Sequence, residues 1–334
     1  DVSVFFCHGL FVLMGKAMKI YRSVLEVPEK YRGATVVLGN FDGLHRGHQA
    51  VIGAAVAKDK PLGVVTFDPH PRKYFRPHDA PFYLTGTDEK ARFMAAIGVD
   101  FLLVLTFDQV LSSQSPEEFV RQVLVDGLAA RHVSVGYNFR FGCKRSGDGA
   151  LLKRLGETYG FNVSLVEAVA APGGGIYSST RIRENLVSGK PALAAALLGR
   201  PFEIVGPVIK GDQRGRDLGF PTANIDLGNY LRPAFGGYIV RAGLNIENES
   251  KNTRWLNGVA NIGNRPTLDG TRVFLETHIF NFSQNIYGEI LRVALIEFLR
   301  PEQKFDDVDA LKERIEIDSA VAKRTLEIRS AGAR

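Results

Sequence analysis

Two histidines three residues apart, His45 and His48, lie in the run "GNFDGLHRGH" (39–48). At the start of a helix that spacing puts both imidazoles on one face. The free backbone N–H groups and the positive end of the helix dipole point the same way. Gly39, Gly43 and Gly47 let the backbone approach a ligand closely. Two imidazole donors beside a helix N-terminus suit a triphosphate, stabilising charge on the α-phosphate and on departing pyrophosphate. A bare H-x-x-H pair would equally fit surface histidines on a glycine turn, or a metal site. The strand–turn–helix setting and the full ten-residue run favour the phosphate reading.

A second run, "GDQRGRDLGFPTANI" (211–225), spaces Gly211, Gly215 and Gly219 by four. The P-loop pattern G-x-x-x-x-G-K-[ST] is absent from the sequence, so any phosphate cradle here is a different glycine loop acting through backbone N–H groups. Thr222 and Asn224 alternate along an extended segment and so face one side. A hydroxyl and an amide oxygen are hard ligands, appropriate to Mg²⁺ carried by a nucleotide. Taken alone, "PTAN" reads as a turn leading into a strand with polar outward residues.

The elements that must position these runs follow two patterns. Between residues 34 and 190, short apolar strands ("ATVVLG", "LGVVTFD", "FLLVLTF", "HVSVG", "NVSLVEAV") alternate with helical runs. This predicts a parallel sheet covered on both faces, with ligands at the carboxyl ends of its strands. Thr87 is expected to cap one helix, and Ser115, Pro116 and Glu118 to form a capping box on another. From about residue 200, closely spaced strands ("FEIVGPVI", "TANIDL", "GYIVRAG", "WLNGVANI", "RVFLETHIF", "ILRVALIEFL") predict an antiparallel barrel or sandwich, followed by a terminal helix. The expected organisation is an extension at 1–17, a first domain at 18–187, a linker at 188–200 and a second domain at 201–334.

Composition agrees. The 334 residues suit about two domains, and 45% apolar with 23% charged residues is an ordinary globular profile. The net charge of +6 suits polyanionic ligands, but no Lys/Arg block is dense enough for a nucleic-acid tail. Residues 4–14 are apolar but shorter than the ~20 needed to cross a bilayer. Cys7 and Cys143 show neither disulfide-framework nor zinc spacing, which points to a reducing cytoplasm. The expectation is therefore small-molecule substrates, no nucleic acid and no membrane, with homo-oligomerisation left open.

The string "GNFDGLHRGHQ" resembles the signature of the bacterial bifunctional riboflavin kinase/FMN adenylyltransferase (FAD synthetase) family. "VVTFDPHP" (64–71), "VGYNFRFGCKRSGD" (135–148) and "YSSTRIRENLVSGK" (177–190) match it in order, as do "NGVANIGNRPTLDG" (257–270) and "FLETHIF" (274–280). The resemblance implies an α/β nucleotidyltransferase domain of the HxGH class, Rossmann-like with a parallel sheet. It further implies a C-terminal antiparallel β-barrel riboflavin kinase domain with a terminal helix.

By that resemblance, His45 and His48 contact ATP phosphates, with Gly39 and Asn40 in the same turn. Asp68 and Asn138 lie near nucleotide and flavin, and Ser179, Thr180, Arg181 and Arg183 form a phosphate-contacting segment. Glu276 is the catalytic carboxylate of the kinase. Asn261, Arg265 and Thr267 lie in a loop near flavin, with Arg314 a further candidate on the last helix. The implied substrates and products are ATP, riboflavin, FMN and FAD, with Mg²⁺. FMN brings an ionised phosphate that needs no base, whereas the ribityl hydroxyl of riboflavin does. The rival readings are another HxGH adenylyltransferase, which has no use for the second domain, and a non-catalytic flavin- or RNA-binding module, which has no use for His45, His48 and Glu276.

Overall fold

The computed structural model describes residues 18–56, 61–171, 173–211, 219–245, 253–267, 270–305 and 307–331. The extension expected at 1–17, with Cys7, lies outside the described residues. The first part of the fold runs β1 (Lys19–Tyr21), β2 (Thr35–Leu38), α1 (Arg46–Gly53), β3 (Leu62–Asp68), α2 (Pro71–Phe75), α3 (Thr87–Ala96), β4 (Phe101–Thr106), α4 (Gln109–Ser113) and α5 (Pro116–Phe119). It continues through β5 (His132–Gly136), β6 (Arg140–Phe141), β7 (Gly147–Asp148), α6 (Gly149–Tyr159) and β8 (Asn162–Val166). Six of these strands form one sheet in the order β1-β4-β3-β2-β5-β8, and every pairing is parallel.

Period-two alternation explains why these strands read as unbroken apolar runs. Val36 and Leu38 of β2 join one core cluster and Val37 the other. Likewise Phe101, Leu103 and Leu105 of β4 face one side, while Leu102 and Val104 face the opposite one. With both faces covered, each such side chain contributes about 1.5–3 kcal/mol of burial. The capping box at Ser115 and Glu118 is present. The Thr87 expectation is corrected: Gly86 is the cap residue and Thr87 the first helical one. β1, not anticipated from the sequence, adds a three-residue edge through Tyr21.

The rest of the chain carries α7 (Ser179–Val187), α8 (Pro191–Leu198), β9 (Phe202–Pro207), β10 (Thr222–Asp226), β11 (Gly236–Asn245), β12 (Thr253–Thr267), β13 (Gly270–Ile279), β14 (Ile290–Pro301) and α9 (Val308–Ala331). The second sheet has the order β10-β13-β12-β11-β14-β9 and is antiparallel throughout. A bridge between Ile209 and Asn224 brings its two edges together, curling the sheet into a barrel. Tyr238, Val240, Ala242 and Leu244 alternate into the barrel core. On the opposite face α9 packs through Ala322 and Leu326 onto Ile239, Val259 and Phe280.

By packing, residues Ile182–Ala196 and Arg200–Arg334 form one compact unit, and the described residues up to Arg181, with Leu197–Gly199, form another. The division by packing falls inside α7.

Candidate active sites

The first centre is the β2–α1 connection. Gly39 N–H donates to Val65 O, and Thr66 Oγ1–H donates to Asn40 O, which ties the loop's start to β3. Phe41, Gly43 and Leu44 all hold left-handed backbone (φ 49°, 85° and 41°). For Phe41 and Leu44 that geometry is costly and persists only where the surroundings enforce it. Asp42 supplies the enforcement. Buried, it accepts from Leu84 N–H (2.9 Å) and Thr85 N–H (3.1 Å), while Gly43 N–H donates to Thr85 Oγ1 (3.0 Å). Its own carbonyl accepts from Ser179 Oγ at 2.8 Å, which anchors the start of α7.

This scaffold sets the two histidines. His45 is the cap residue of α1, and its Nδ1 accepts from His48 N–H at 3.2 Å. The neutral His45 ring therefore carries its proton on Nε2, which makes that nitrogen the donor. The two rings stack with centroids 3.6 Å apart and planes 17° apart. A side chain on Gly47 would approach the His45 ring to 3.1 Å, so the glycine is what lets the imidazole lie back across the helix start. No group of three or more His, Cys, Asp or Glu suited to a metal ion occurs among the described residues. A donor-bearing imidazole beside a helix N-terminus suits an anion.

The other predicted residues of this unit divide. Gly39 and Asn40 belong to the loop itself. Asp68 ends β3, precedes a cis Pro69, is about half exposed and lies 3.6 Å from Arg22. Asn138 is exposed just beyond β5, with Oδ1 near Gly136. In a parallel sheet the ends of β2, β3 and β5 share one edge, so these residues are brought to the edge that carries the histidines. Ser179 is tied to Asp42, and Arg181 donates to Ile176 O at 3.0 Å. Thr180 is exposed. Arg183, half-buried, falls in the other packing unit.

The second centre is a row across three strands. Register places Asn224 of β10 and Asn261 of β12 directly opposite Glu276 of β13, one on each side. The next row on the same face pairs Thr222 with His278. These residues line one cavity of about 690 Å³, whose far end is apolar through Leu299, Phe305, Leu311 and Ile315. Such a cavity has a polar end for phosphate chemistry and an apolar end for a flat ring system. Arg265 grips Glu276, with Nε 2.6 Å and one terminal nitrogen 2.5 Å from Oε1. Asn224 is buried, and its Oδ1 has no hydrogen-bond partner among the described residues. A buried, unsatisfied hard oxygen beside a threonine fits a divalent cation. A side chain on Gly211 would come within 2.6 Å of that amide, so the glycine permits the close approach.

One expectation here is corrected. Asn261, Arg265 and Thr267 lie in β12, not in a loop, because β12 runs unbroken from Thr253 to Thr267. Arg314, the further candidate on the last helix, pairs with Asp318, which also holds Arg300 at 2.8 Å at the cavity's edge. Gly219 sits in left-handed backbone (φ 83°), where glycine is favoured, and Gly215 lies outside the described residues.

The sequence reading passed over three contributors. Lys90 is buried on α3, its ammonium pushed below the usual lysine range chiefly by burial and held up by Asp42, Asp68 and Glu89. Asp42 gives no local signal, because its partners lie more than forty residues away. His278, two residues from Glu276, has Nδ1 3.1 Å from Pro221 O, so Nδ1 carries the proton and steadies the start of β10. Burial lowers the pKa of this imidazole.

Comparison with known proteins fits this geometry. The family described as FAD synthetase matches residues 27–181, and the family described as riboflavin kinase matches residues 198–326. The chain is 38% identical over 311 residues to the "Bifunctional riboflavin kinase/FMN adenylyltransferase" of Escherichia coli (strain K12), covering 92% of this chain and 97% of that one. It is 40% identical over 311 residues, with the same coverage, to the protein of that description from Pseudomonas fluorescens. A crystal structure titled "Macrolide-efflux Protein from Streptococcus pneumoniae" superposes with a TM-score of 0.78 at 30% identity, covering 92% of this chain and 99% of that one. No helix among the described residues is long and apolar enough to cross a membrane.

Proposed function

We propose a residue-level division of labour for this chain, which belongs to the bifunctional riboflavin kinase/FMN adenylyltransferase family. The protein phosphorylates riboflavin with ATP to FMN, then joins FMN to the AMP part of a second ATP, giving FAD and pyrophosphate. The observation that supports the division is that the stacked His45–His48 pair and the Asn224–Glu276–Asn261 row fall in different packing units.

In the adenylyl-transfer step, His45 Nε2–H, His48 and the N–H groups at the start of α1 hold the ATP phosphates. They stabilise charge on the α-phosphate and leaving pyrophosphate as the FMN phosphate attacks. Gly39, Asn40, Asp68 and Asn138 bound the nucleotide and flavin, and Ser179, Thr180 and Arg181 bound the phosphates. No general base is required, since the FMN phosphate is already ionised.

In the kinase step, Glu276 takes the proton of the ribityl hydroxyl as its oxygen attacks the γ-phosphorus. Arg265 holds the carboxylate by one oxygen and so fixes its direction. The phosphates rest against the backbone of Gly211 and Gly219. Thr222 Oγ1 and Asn224 Oδ1 are the side-chain oxygens offered to Mg²⁺, which when bound neutralises phosphate charge and orients the γ-phosphate. Asn261, Thr267 and Arg314 flank the flavin. Composition supports a cytoplasmic setting.

The test supplies riboflavin, ATP and Mg²⁺, then separates the yellow products. His48→Ala should stop at FMN. Glu276→Ala should make no FMN from riboflavin but convert supplied FMN to FAD. Loss of both activities from either change in a folded protein would overturn the division.

A further inference from the structure

A second, larger cavity lies on the same barrel face as the kinase row, at the other end of α9. It measures about 830 Å³ and shares no lining residue with the kinase cavity. Among the described residues four cationic side chains line it, Arg241, Arg254, Lys323 and Arg329, against a single carboxylate, Glu327. Arg329 also pairs with Glu297 at 2.8 Å. Like charges gathered in one concavity repel each other, and an arriving anion relieves that repulsion.

The wall behind them is built rather than incidental. Trp255 of β12 and Arg292 of β14 both stand opposite Gly243 of β11. A side chain on Gly243 would meet the indole at 3.0 Å, so the glycine lets Trp255 lie flat across the strand. Arg292 covers the indole at 4.7 Å and is itself held by Glu203 through two hydrogen bonds and by Thr253 Oγ1 through a third. That ion pair is nearly buried, with side chains 13% and 9% exposed. Arg241 stands 5.8 Å from the Trp255 ring, and Lys323 stands 5.1 Å from the Phe280 ring. Aromatic faces thus support two of the four cations and limit how far they swing.

We propose that this cavity is a binding site for a polyphosphate anion, either the phosphate chain of a nucleotide or an inorganic chain, separate from both catalytic centres. Spread cations on a preorganised floor match a ligand with several charges along a chain, and a single phosphate engages only part of the set. The site is adjacent to the kinase cavity by construction, since α9 lines one with Leu311, Ile315 and Asp318 and the other with Lys323 and Leu326.

Trp255 is the only tryptophan in the chain, so its emission reports on this cavity alone among the candidate sites. The test titrates the full chain with sodium tripolyphosphate, ATP and AMP, without divalent cation or riboflavin so that nothing turns over. Tripolyphosphate and ATP should each change Trp255 emission saturably, and AMP should bind at least tenfold more weakly. ATP binding more tightly than tripolyphosphate would assign the site to nucleotides, and equal binding would assign it to the phosphate chain itself. The Arg241→Gln/Arg254→Gln pair should weaken binding at least tenfold. Lys323→Gln on exposed α9 should do so by severalfold and serves if the double variant fails to fold. No saturable change up to about 1 mM, the weak-affinity limit near 4 kcal/mol, would overturn the proposal. AMP binding as tightly as ATP, or parent-like binding by the folded variants, would overturn it too.

Discussion

The Arg265–Glu276 contact gives the sharpest test of the kinase mechanism. Glu276→Gln keeps the shape of the side chain and removes its ability to take a proton. A positioned general base contributes about 10²–10⁴-fold, so FMN formation should fall by that factor. Arg265 places two nitrogens on one carboxylate oxygen at 2.5–2.6 Å, with both side chains about three-quarters buried. Hydrogen bonds to charged groups are worth about 1.5–3 kcal/mol. If that energy serves to aim Glu276, Arg265→Met should cost roughly 10- to 150-fold in kcat at 1.36 kcal/mol per tenfold. The two losses must not multiply, because Arg265 acts through the carboxylate. In the Glu276→Gln background, Arg265→Met should cost less than about threefold, the mark of a coupled pair. The assay is FMN formation from riboflavin, ATP and Mg²⁺, with FAD formation from supplied FMN as the control that the other unit is intact. Fully multiplicative losses would refute the positioning role and leave Arg265 an independent substrate contact.

Two further outcomes follow from the buried polar groups behind the histidine loop. Asp42→Ala leaves Leu84 and Thr85 N–H without their acceptor, at about 1–3 kcal/mol each. Hydrogen exchange of those two amides should accelerate by about thirtyfold or more and FAD formation should fall, while FMN formation persists; unchanged exchange would refute the anchoring role. Lys90 has a folded pKa depressed below 10.5, so just below that value the unfolded chain binds more protons than the folded one. Its contribution to stability therefore grows as pH rises toward 10.5 and is lost as pH falls through the depressed folded value. The unfolding free energy of the parent relative to Lys90→Met should rise over that alkaline window, and a pH-independent difference would refute it.

What the sequence disclosed follows the range of the interactions involved. The β2 and β4 runs were legible because alternation and burial on both faces are written in consecutive residues. The Ser115 cap was legible because its whole mechanism spans four residues. The end of β12 was hidden, since "NRPT" looks like a turn. Beyond Ile262, however, β12 pairs only with β13, so it is an edge there and tolerates Pro266. Gly86 rather than Thr87 caps α3, and it follows Thr85, whose contacts with Gly43 and Asp42 no local pattern announces. Lys90 gave no signal in the sequence, because two of the three carboxylates that act on it, Asp42 and Asp68, lie far from it along the chain.

The two centres are held in place by different physics, and they should fail differently. Glu276 owes its position to register. A slip of one residue between β12 and β13 would send it, with His278, to the barrel core and bring Leu275 and Thr277 outward. Ten paired residues along β12 and β13 oppose that slip, so a single substitution away from the row has little leverage on the carboxylate. His45 and His48 instead hang on a loop whose left-handed residues are stabilised by Asp42, Thr85 and Ser179. Each of those contacts comes from a different stretch of chain, and each is a single hydrogen bond or a small set of them. Substitutions remote in sequence should therefore erode FAD formation well before FMN formation, and a collection of random variants sorted by the two activities would show that asymmetry.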